Sequence, residues 1–158
     1  MSRMNHVNTV AAVGLATMLL GLTTSSPGNG TLRAEPQNAS VAATVWDGVY
    51  TADQSQRGER ISNTACSSCH GDKLVGSDIG PALSGEGFLN NWSGSTADDL
   101  FDKIQTTMPA DGPGTLKPQQ YADLLAYIFK LNSFPAGSME ITLDRAALKL
   151  VKITAKKL

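Results

Sequence analysis

The sequence is poor in the residues that most metal sites use. Its 158 residues include two cysteines and two histidines, and one of those histidines, His6, lies near the first residue. A zinc site normally takes four protein ligands, so this chain has few candidates for one. The formal net charge is -1, which gives no sign of a nucleic-acid-binding surface. Aromatic residues make up only 6% of the chain, and no internal repeat is visible.

The sequence also lacks a hydrophobic run long enough to cross a membrane comfortably. Its apolar run from Val10 to Leu22 follows Arg3 and precedes a polar Ser/Thr/Gly stretch that ends at Ala34. This pattern predicts a secretory signal peptide over residues 1–34, with Val41-Ala42-Ala43 as a second candidate cleavage site. We therefore expect a periplasmic protein without a membrane span in its mature form, or a membrane-anchored one if the signal is not cleaved.

The charge of the mature chain is unevenly distributed. Removal of the signal would leave eleven basic and fourteen acidic residues, a net charge of -3. Residues 139–158 carry five basic residues against Glu140 and Asp144, a local +3, so residues 35–138 carry -6. Such an asymmetry can orient a protein toward a charged partner through its electric field. A solvated surface with a frayed tail explains the composition equally well.

The chain divides into four segments by composition. The signal is followed by a linker over residues 35–45, rich in Ala, Asn, Gln and Ser, which we expect to be disordered. A body over residues 46–135 carries the helical patterns, and a C-terminal extension over residues 136–158 follows it. No segment alternates between apolar and polar residues as a strand would, except weakly Glu140 to Leu143.

The body contains three helix patterns. Thr51 precedes a predicted helix over residues 52–65 and can cap it. A capping box at Thr96 opens a second helix, which must stop before Pro109 because the residue ahead of a proline is pushed out of the helical region. The third pattern spans residues 118–132, with a proline in its first turn, where proline is tolerated.

Two long loops rich in glycine and proline separate these helices. Residues 71–95 hold six glycines, which argues against a helix or strand there. Residues 108–116 hold two glycines and two prolines. Loops of this length are unusual in a compact domain, and a chain this short buries only a modest core. We therefore expect a large apolar ligand inside the fold.

One motif supplies that ligand, Cys66-Ser67-Ser68-Cys69-His70. Its two thiols lie about one helical turn apart and can form thioethers with the two vinyl groups of haem, while the adjacent imidazole meets the iron. The spacing therefore predicts one covalently attached haem c. A zinc site, a thioredoxin-like redox pair and a structural disulfide remain as alternatives. The redox pair belongs in a strand and helix context that is missing here, and a disulfide would leave His70 without a role.

The second axial ligand of such a haem follows by elimination. Cleavage removes His6, so His70 is the only remaining histidine, and Met108 and Met139 are the methionines that survive processing. Met108 lies between two predicted helices, where Pro109 stiffens the backbone, whereas Met139 lies in the tail. We expect Met108 to be the ligand, with a lysine or an open site as alternatives. His/Met ligation raises the reduction potential and leaves no position for a substrate, which favours electron transfer.

Five segments spread over the body carry a more specific pattern. They are Arg57-Gly58-Glu59, Cys66 to His70, Gly80-Pro81-Ala82-Leu83, Thr107-Met108-Pro109 and Tyr121-Ala122-Asp123-Leu124-Leu125-Ala126-Tyr127-Ile128. In these segments the chain resembles the class I c-type cytochromes, from about Trp46 to Pro135. The resemblance implies an all-α class I cytochrome c fold, in which three main helices and long Gly/Pro-rich loops wrap around one haem.

The resemblance also implies roles for individual residues. The carbonyl at the position of Pro81 accepts a hydrogen bond from the proximal imidazole and fixes its tautomer. The glycine at Gly58 lets the first helix cross the last one closely. The family usually has an aromatic residue four positions later, where this chain has Ser62, so we expect a looser crossing or one turned so that Ile61 fills the gap. Trp92 matches a tryptophan that approaches a haem propionate, with an ordinary core aromatic as the alternative.

A narrower resemblance concerns partners. It rests on Trp46-Asp47-Gly48-Val49-Tyr50-Thr51, Phe88-Leu89-Asn90-Asn91-Trp92 and Asn132-Ser133-Phe134-Pro135-Ala136-Gly137. These segments are similar to those of single-haem cytochromes found beside, or fused to, periplasmic quinoprotein alcohol or sugar dehydrogenases. The similarity implies an electron carrier, not an enzyme, between a quinoprotein-type dehydrogenase and a downstream cytochrome or oxidase. The alternatives are a haem enzyme or gas-binding sensor with an open sixth position, and a cytochrome domain tethered to one enzyme.

Overall fold

The computed structural model describes residues 44–156, and in that range it is all-α, as the sequence predicts. No strand forms there; isolated bridges join Lys152 to Thr44 and to Thr96. No helix of the described range is long and apolar enough to cross a membrane. The predicted signal peptide lies outside it. The helices are α1 (Ala52–Ala65), α2 (Ser67–His70), α3 (Gly85–Trp92), α4 (Ala97–Thr107), α5 (Pro118–Leu131) and α6 (Arg145–Lys149), with 3₁₀ turns at Val45–Asp47 and Asp72–Leu74.

The three main helices, α1, α4 and α5, form where their sequence signals predict. The Thr51 hydroxyl accepts a hydrogen bond from the Gln54 amide at 3.1 Å and caps α1. At the start of α4, the Thr96 hydroxyl accepts from the Asp99 amide at 3.1 Å, and the Asp99 carboxylate accepts from the Thr96 amide at 2.8 Å. The Thr96 amide and the Thr96 hydroxyl both donate to the Asp99 carboxylate, each at 2.8 Å, and they lower the pKa of Asp99 because they favour its ionised form. α4 ends at Thr107, before Pro109.

The glycine-rich segment 71–95 is more ordered than its composition predicts, and the expectation that it holds no helix is wrong. It contains α3, which begins at a glycine with φ +68°, Gly85. The ring of Phe88, in the middle of α3, is fully buried. Burial of one large aromatic side chain contributes more than the roughly 1 kcal/mol that a glycine costs a helix, so tertiary packing overrides the local preference here.

The closest approach of two helices lies where α1 crosses α5. A Cβ atom added to Gly58 would lie 1.9 Å from the carbonyl oxygen of Asp123 and 2.8 Å from the Cβ of Tyr127. One turn further along α1, Ser62 is buried. The substitution of serine for the family's aromatic residue therefore does not open the crossing, because the two backbones are already in contact at the glycine.

The C-terminal extension packs against the body. Gln54, which is fully buried in α1, donates from Nε2 to the Ile141 carbonyl at 3.1 Å and accepts from the Ile141 amide at 2.8 Å. Arg145 pairs with Asp98 and Asp102 of α4. The sequence also allowed a frayed tail as the explanation of the basic composition of this segment. Residues 139–156 are instead held against the body by these contacts, so the frayed tail is wrong for them.

The last described residues also fix both the start of the body and the start of α4. The Val45 amide donates to the Lys152 carbonyl at 2.9 Å, and the Ala97 amide donates to the Val151 carbonyl at 2.9 Å. Thr44 and Val45 are buried. The folded body therefore includes two residues that the sequence assigns to the linker, because their partners come from the far end of the chain.

We expect Gly58→Ala to destabilise the protein by about 2 to 3 kcal/mol, because the new methyl group would force the backbones of α1 and α5 apart. Helix propensity alone predicts the opposite sign, a gain of about 1 kcal/mol. Denaturant unfolding of the holoprotein measures the difference, with Gln56→Ala on the exposed face of α1 as the control. A stabilised Gly58 variant would contradict the close crossing.

We expect Gln54→Ala to lower the free energy of unfolding by about 2 to 4 kcal/mol, because it leaves the amide and the carbonyl of Ile141 without partners in a buried site. The exposed Gln56→Ala variant, which removes the same side chain two positions away, should change it by less than about 0.5 kcal/mol. Limited proteolysis should cut the extension of the Gln54 variant first. Equal stability of the two variants would show that the extension is not held this way.

Candidate cofactor site

A cavity of about 710 Å³ lies between the end of α1, α2, the loops that follow α2 and α4, and α5. This volume is within the range of sites that hold small organic ligands and cofactors. Its wall is mainly apolar, and the side chains that make it so include Leu74, Leu83, Ile104, Leu124 and Ile128. Cys66, Cys69, His70 and Met108 line the same cavity. The structure therefore brings together the four residues that the sequence selects as haem ligands and attachment points.

The two cysteines reach the cavity from a single helical turn. α1 ends at Ala65, the Cys66 amide still donates to the Ser62 carbonyl at 2.9 Å, and the amides of Cys69 and His70 both donate to the Cys66 carbonyl. Both cysteines are free thiols. Burial raises the pKa of the Cys66 thiol. A redox-active pair needs a thiol of lowered pKa, so this environment disfavours the thioredoxin-like alternative.

The imidazole of His70 is held in one orientation. His70 is 6% exposed, and its Nδ1 lies 2.7 Å from the carbonyl oxygen of Pro81. Because a carbonyl only accepts, Nδ1 carries the proton and donates it, which leaves the lone pair of Nε2 free for a metal ion. A Cβ added to Gly80 would lie 3.1 Å from Nδ1 and 2.9 Å from the Cys69 carbonyl oxygen. The loop backbone therefore packs directly on the ring.

Met108 enters the cavity from the end of α4. Its amide donates to the Ile104 carbonyl at 2.9 Å, which makes it the last residue fixed by the helix. Met139, the other methionine of the described residues, is 71% exposed and does not line the cavity. No lysine or arginine of residues 44–156 lines it either. Among the described side chains, Met108 is therefore better placed than any lysine to be the second ligand of a metal ion bound by His70.

These residues fit haem c. A mainly apolar cavity suits a porphyrin, two thiols on one turn suit its two vinyl groups, and an imidazole and a thioether suit its iron. A zinc site fits less well. Within residues 44–156, no group of three or more His, Cys, Asp or Glu side chains is arranged to hold a metal ion.

Trp92 does not line the cavity, and its role beside a haem propionate stays a prediction. Its ring stacks on that of Phe88, with 6.5 Å between the centroids and 26° between the planes. This contact agrees with the alternative of an ordinary packing aromatic. Conversely, Ile79 and Asp111 line the cavity but were not selected from the sequence. Both lie in glycine-rich loops, where no periodic pattern indicates which side chains face inward.

One family model matches the part of the chain that contains this site. Residues 53–128 match the family model described as "Cytochrome C oxidase, cbb3-type, subunit III". The match runs from α1 into α5 and includes the four residues singled out above. Among curated proteins, none matches the chain. A similar solved structure is "Crystal Structure of the Sulfane Dehydrogenase SoxCD from Paracoccus pantotrophus", with 20% identity, a TM-score of 0.46, and coverage of 74% of this chain and 66%, just under two thirds, of that chain.

We expect Gly80→Ala to displace the His70 ring and weaken its hydrogen bond to Pro81, because the new methyl group would contact Nδ1. The Nδ1 proton should then exchange faster with solvent, and stability should fall by about 1 to 3 kcal/mol. NMR of the imidazole proton and denaturant unfolding measure the two effects. Gly112→Ala is the control, since its methyl group would meet only the side chain of Thr115. Unchanged proton exchange in the Gly80 variant would contradict the packing.

Proposed function

Residues 53–128 of this chain are a class I c-type cytochrome domain, and on that premise we propose that the protein is a single-electron carrier with one covalently bound, His/Met-ligated haem c. The observation that carries the proposal is the presence of Cys66, Cys69, His70 and Met108 on the wall of one apolar cavity. Haem c, when bound there, supplies an iron that exchanges one electron between its ferrous and ferric states.

The chain's own residues would hold and orient that cofactor. The thiols of Cys66 and Cys69 would become thioethers, so the cofactor could not exchange. The Pro81 carbonyl holds the proton of His70 on Nδ1 and leaves Nε2 free for a metal ion. A bond from the Met108 thioether to the iron would favour the ferrous state and raise the potential. If His70 and Met108 both bound the iron, no substrate would reach it, which supports a carrier rather than an enzyme.

The proposal also covers the compartment of the carrier and the proteins with which it exchanges electrons. We place the carrier in the periplasm, between a quinoprotein-type dehydrogenase as donor and a downstream cytochrome or oxidase as acceptor. Two of the segments that carry the resemblance to such carriers pack against each other. Trp46 and Phe134 are in edge-to-face contact at 5.0 Å, and the Tyr50 hydroxyl donates to the Phe134 carbonyl at 2.6 Å. The resembling residues thus share one structural role, which is to join the start of the body to the segment that follows α5.

We expect Met108→Ala to leave the haem attached while the reduction potential falls by on the order of 0.1 V, within the roughly 0.8 V range that axial ligands span. The emptied sixth position should make the ferrous protein bind carbon monoxide. Met139→Ala removes the same side chain from an exposed site and should change neither property. Redox titration and absorption spectra with and without carbon monoxide make both measurements.

The same spectra test the rival function, a haem enzyme or gas sensor with an open sixth position. If the unaltered ferrous protein is low-spin and does not respond to carbon monoxide, the carrier is supported. If it is high-spin and binds the gas as readily as the Met108 variant does, Met108 is not a ligand and the rival replaces the carrier.

A further inference from the structure

We propose that Asn132, at the end of α5, is a positioning residue that controls the hydrogen bond of the proposed iron ligand His70. Its side chain holds the loop segment that supplies the Pro81 carbonyl, which is the acceptor for the imidazole. The role rests on the proposed haem site and adds to it a residue that sets its reduction potential. Neither the attachment motif nor the pair of axial ligands includes Asn132.

The amide group of Asn132 joins the carbonyls of two residues of the cavity wall. Its Nδ2 donates to the Leu83 carbonyl at 3.0 Å and to the Ile128 carbonyl at 2.8 Å. Both Leu83 and Ile128 line the cavity, whereas Asn132 does not. Carbonyl oxygens only accept, so the NH₂ end of the amide must face them and its orientation is fixed. Asn132 therefore connects α5 to the loop from behind the cavity wall.

The end of α5 does not require this side chain. The Ser133 amide donates to the Lys130 carbonyl at 3.0 Å, and the Phe134 amide donates to the Phe129 carbonyl at 3.2 Å, in the pattern of a Schellman motif. The backbone amide of Asn132 also donates to the carbonyl four residues earlier, at 3.2 Å. Oδ1 of Asn132 is buried and makes no hydrogen bond within the described residues. Because an apolar side chain would end the helix without this unpaired acceptor, the bond to the loop is what Asn132 adds.

The loop segment that Asn132 holds has few other hydrogen bonds. The Leu83 amide donates to the Leu74 carbonyl at 2.8 Å, and the Gly80 carbonyl accepts from the Ser77 amide at 2.9 Å. Leu74 and Ser77 belong to the same loop, which follows α2. Within residues 44–156, the bond from Asn132 is the one hydrogen bond that ties residues 80–83 to a main helix. Without it, the segment would be bonded only to its own loop and to the imidazole that it orients.

A displacement of Leu83 would reach the imidazole through two residues of backbone. The Pro81 carbonyl accepts from Nδ1 of His70 at 2.7 Å and lies two residues before the Leu83 carbonyl. Planar peptide units leave few rotatable bonds over this distance, so a shift of Leu83 displaces the Pro81 carbonyl as well. The bond from Asn132 to Leu83 thereby determines how closely the carbonyl contacts the imidazole.

The direction of the effect on the potential follows from the charge of the two oxidation states. A strong hydrogen bond from Nδ1 makes the imidazole a more basic ligand, which stabilises ferric iron over ferrous iron. A loop released from α5 should bond the imidazole less tightly, so the potential should rise. A site that is merely loosened would admit water, which favours the more highly charged ferric state and lowers the potential. The sign of the shift therefore separates positioning from a loss of packing.

Two variants separate the bond to the loop from the bond within the helix. Asn132→Leu removes both bonds. Asn132→Ser keeps a hydroxyl that can donate to the Ile128 carbonyl four residues earlier, as the Ser67 hydroxyl does to the Asn63 carbonyl at 2.9 Å. One hydroxyl has one proton to donate, so the bond to Leu83 is lost in both variants.

We expect both Asn132 variants of the holoprotein to lower the ratio of ferric to ferrous protein at a fixed ambient potential by about threefold, which is about 30 mV for a one-electron couple. The Leu83 amide should exchange with solvent about fivefold faster in both, because one hydrogen bond that holds its segment is lost. The Nδ1 proton of His70 should also exchange faster. Asn90→Ser is the control, since Asn90 is exposed on α3 and outside the cavity wall, and it should change none of the three.

Redox titration and NMR hydrogen exchange make these measurements, and two results would overturn the proposal. In the first, Asn132→Ser behaves like the unaltered protein while Asn132→Leu does not, so the side chain only completes the end of α5. In the second, the potential falls or stays constant in the Asn132→Ser variant, which decides the question alone if Asn132→Leu yields no holoprotein. With the haem spectrum intact, either result rejects the positioning role while the carrier stands. An unaltered protein without the haem spectrum would reject the carrier, and the positioning role with it.

Discussion

The contact between the backbones of α1 and α5 at Gly58 sets the positions of the groups on which the site depends. α1 leads directly into Cys66, so the place where it crosses α5 determines where the thiols and the imidazole meet the cavity wall. A bidentate pair between Arg57 and Asp123, with distances of 3.1 and 3.0 Å, fixes the same crossing from the side. Arg57 also pairs with Glu140 at 2.8 Å, which ties the extension to this point. A cofactor attached to Cys66 and Cys69, as proposed, would therefore take its position from a helix crossing that only glycine permits.

The fold could be predicted from the sequence where local signals decide it, and not where distant residues decide it. Caps and a proline fix the ends of α1, α4 and α5, and these depend on neighbours in the sequence. α3 forms although glycines disfavour it, because its Phe88 is fully buried as part of the hydrophobic core. The extension looks like a solvated basic tail by composition. Its apolar residues Ile141, Leu148, Val151 and Ile153 do not together follow one helical or strand period, so the sequence does not indicate that they pack. In the structure all four are buried.

The candidate site also contains residues that the sequence alone predicts and residues that it does not. Cys66, Cys69 and His70 follow from spacing within five residues, and Met108 follows from the shortage of other ligands once the predicted signal peptide is set aside. Both arguments need only the sequence, and the structure brings all four to one cavity. Trp92 is expected near the cofactor by resemblance alone, and its ring stacks on Phe88 outside the cavity wall. Ile79 and Asp111, which do line the cavity, could not be predicted from the sequence because they lie in loops without a periodic pattern.

The mass of the intact polypeptide, produced with c-type cytochrome maturation machinery and purified from the periplasm, tests the central claim most directly. The account predicts the mass of the chain without residues 1–34 increased by one haem, and this increment should survive denaturation because two thioether bonds carry it. A colourless protein at the bare mass of the polypeptide would contradict the account.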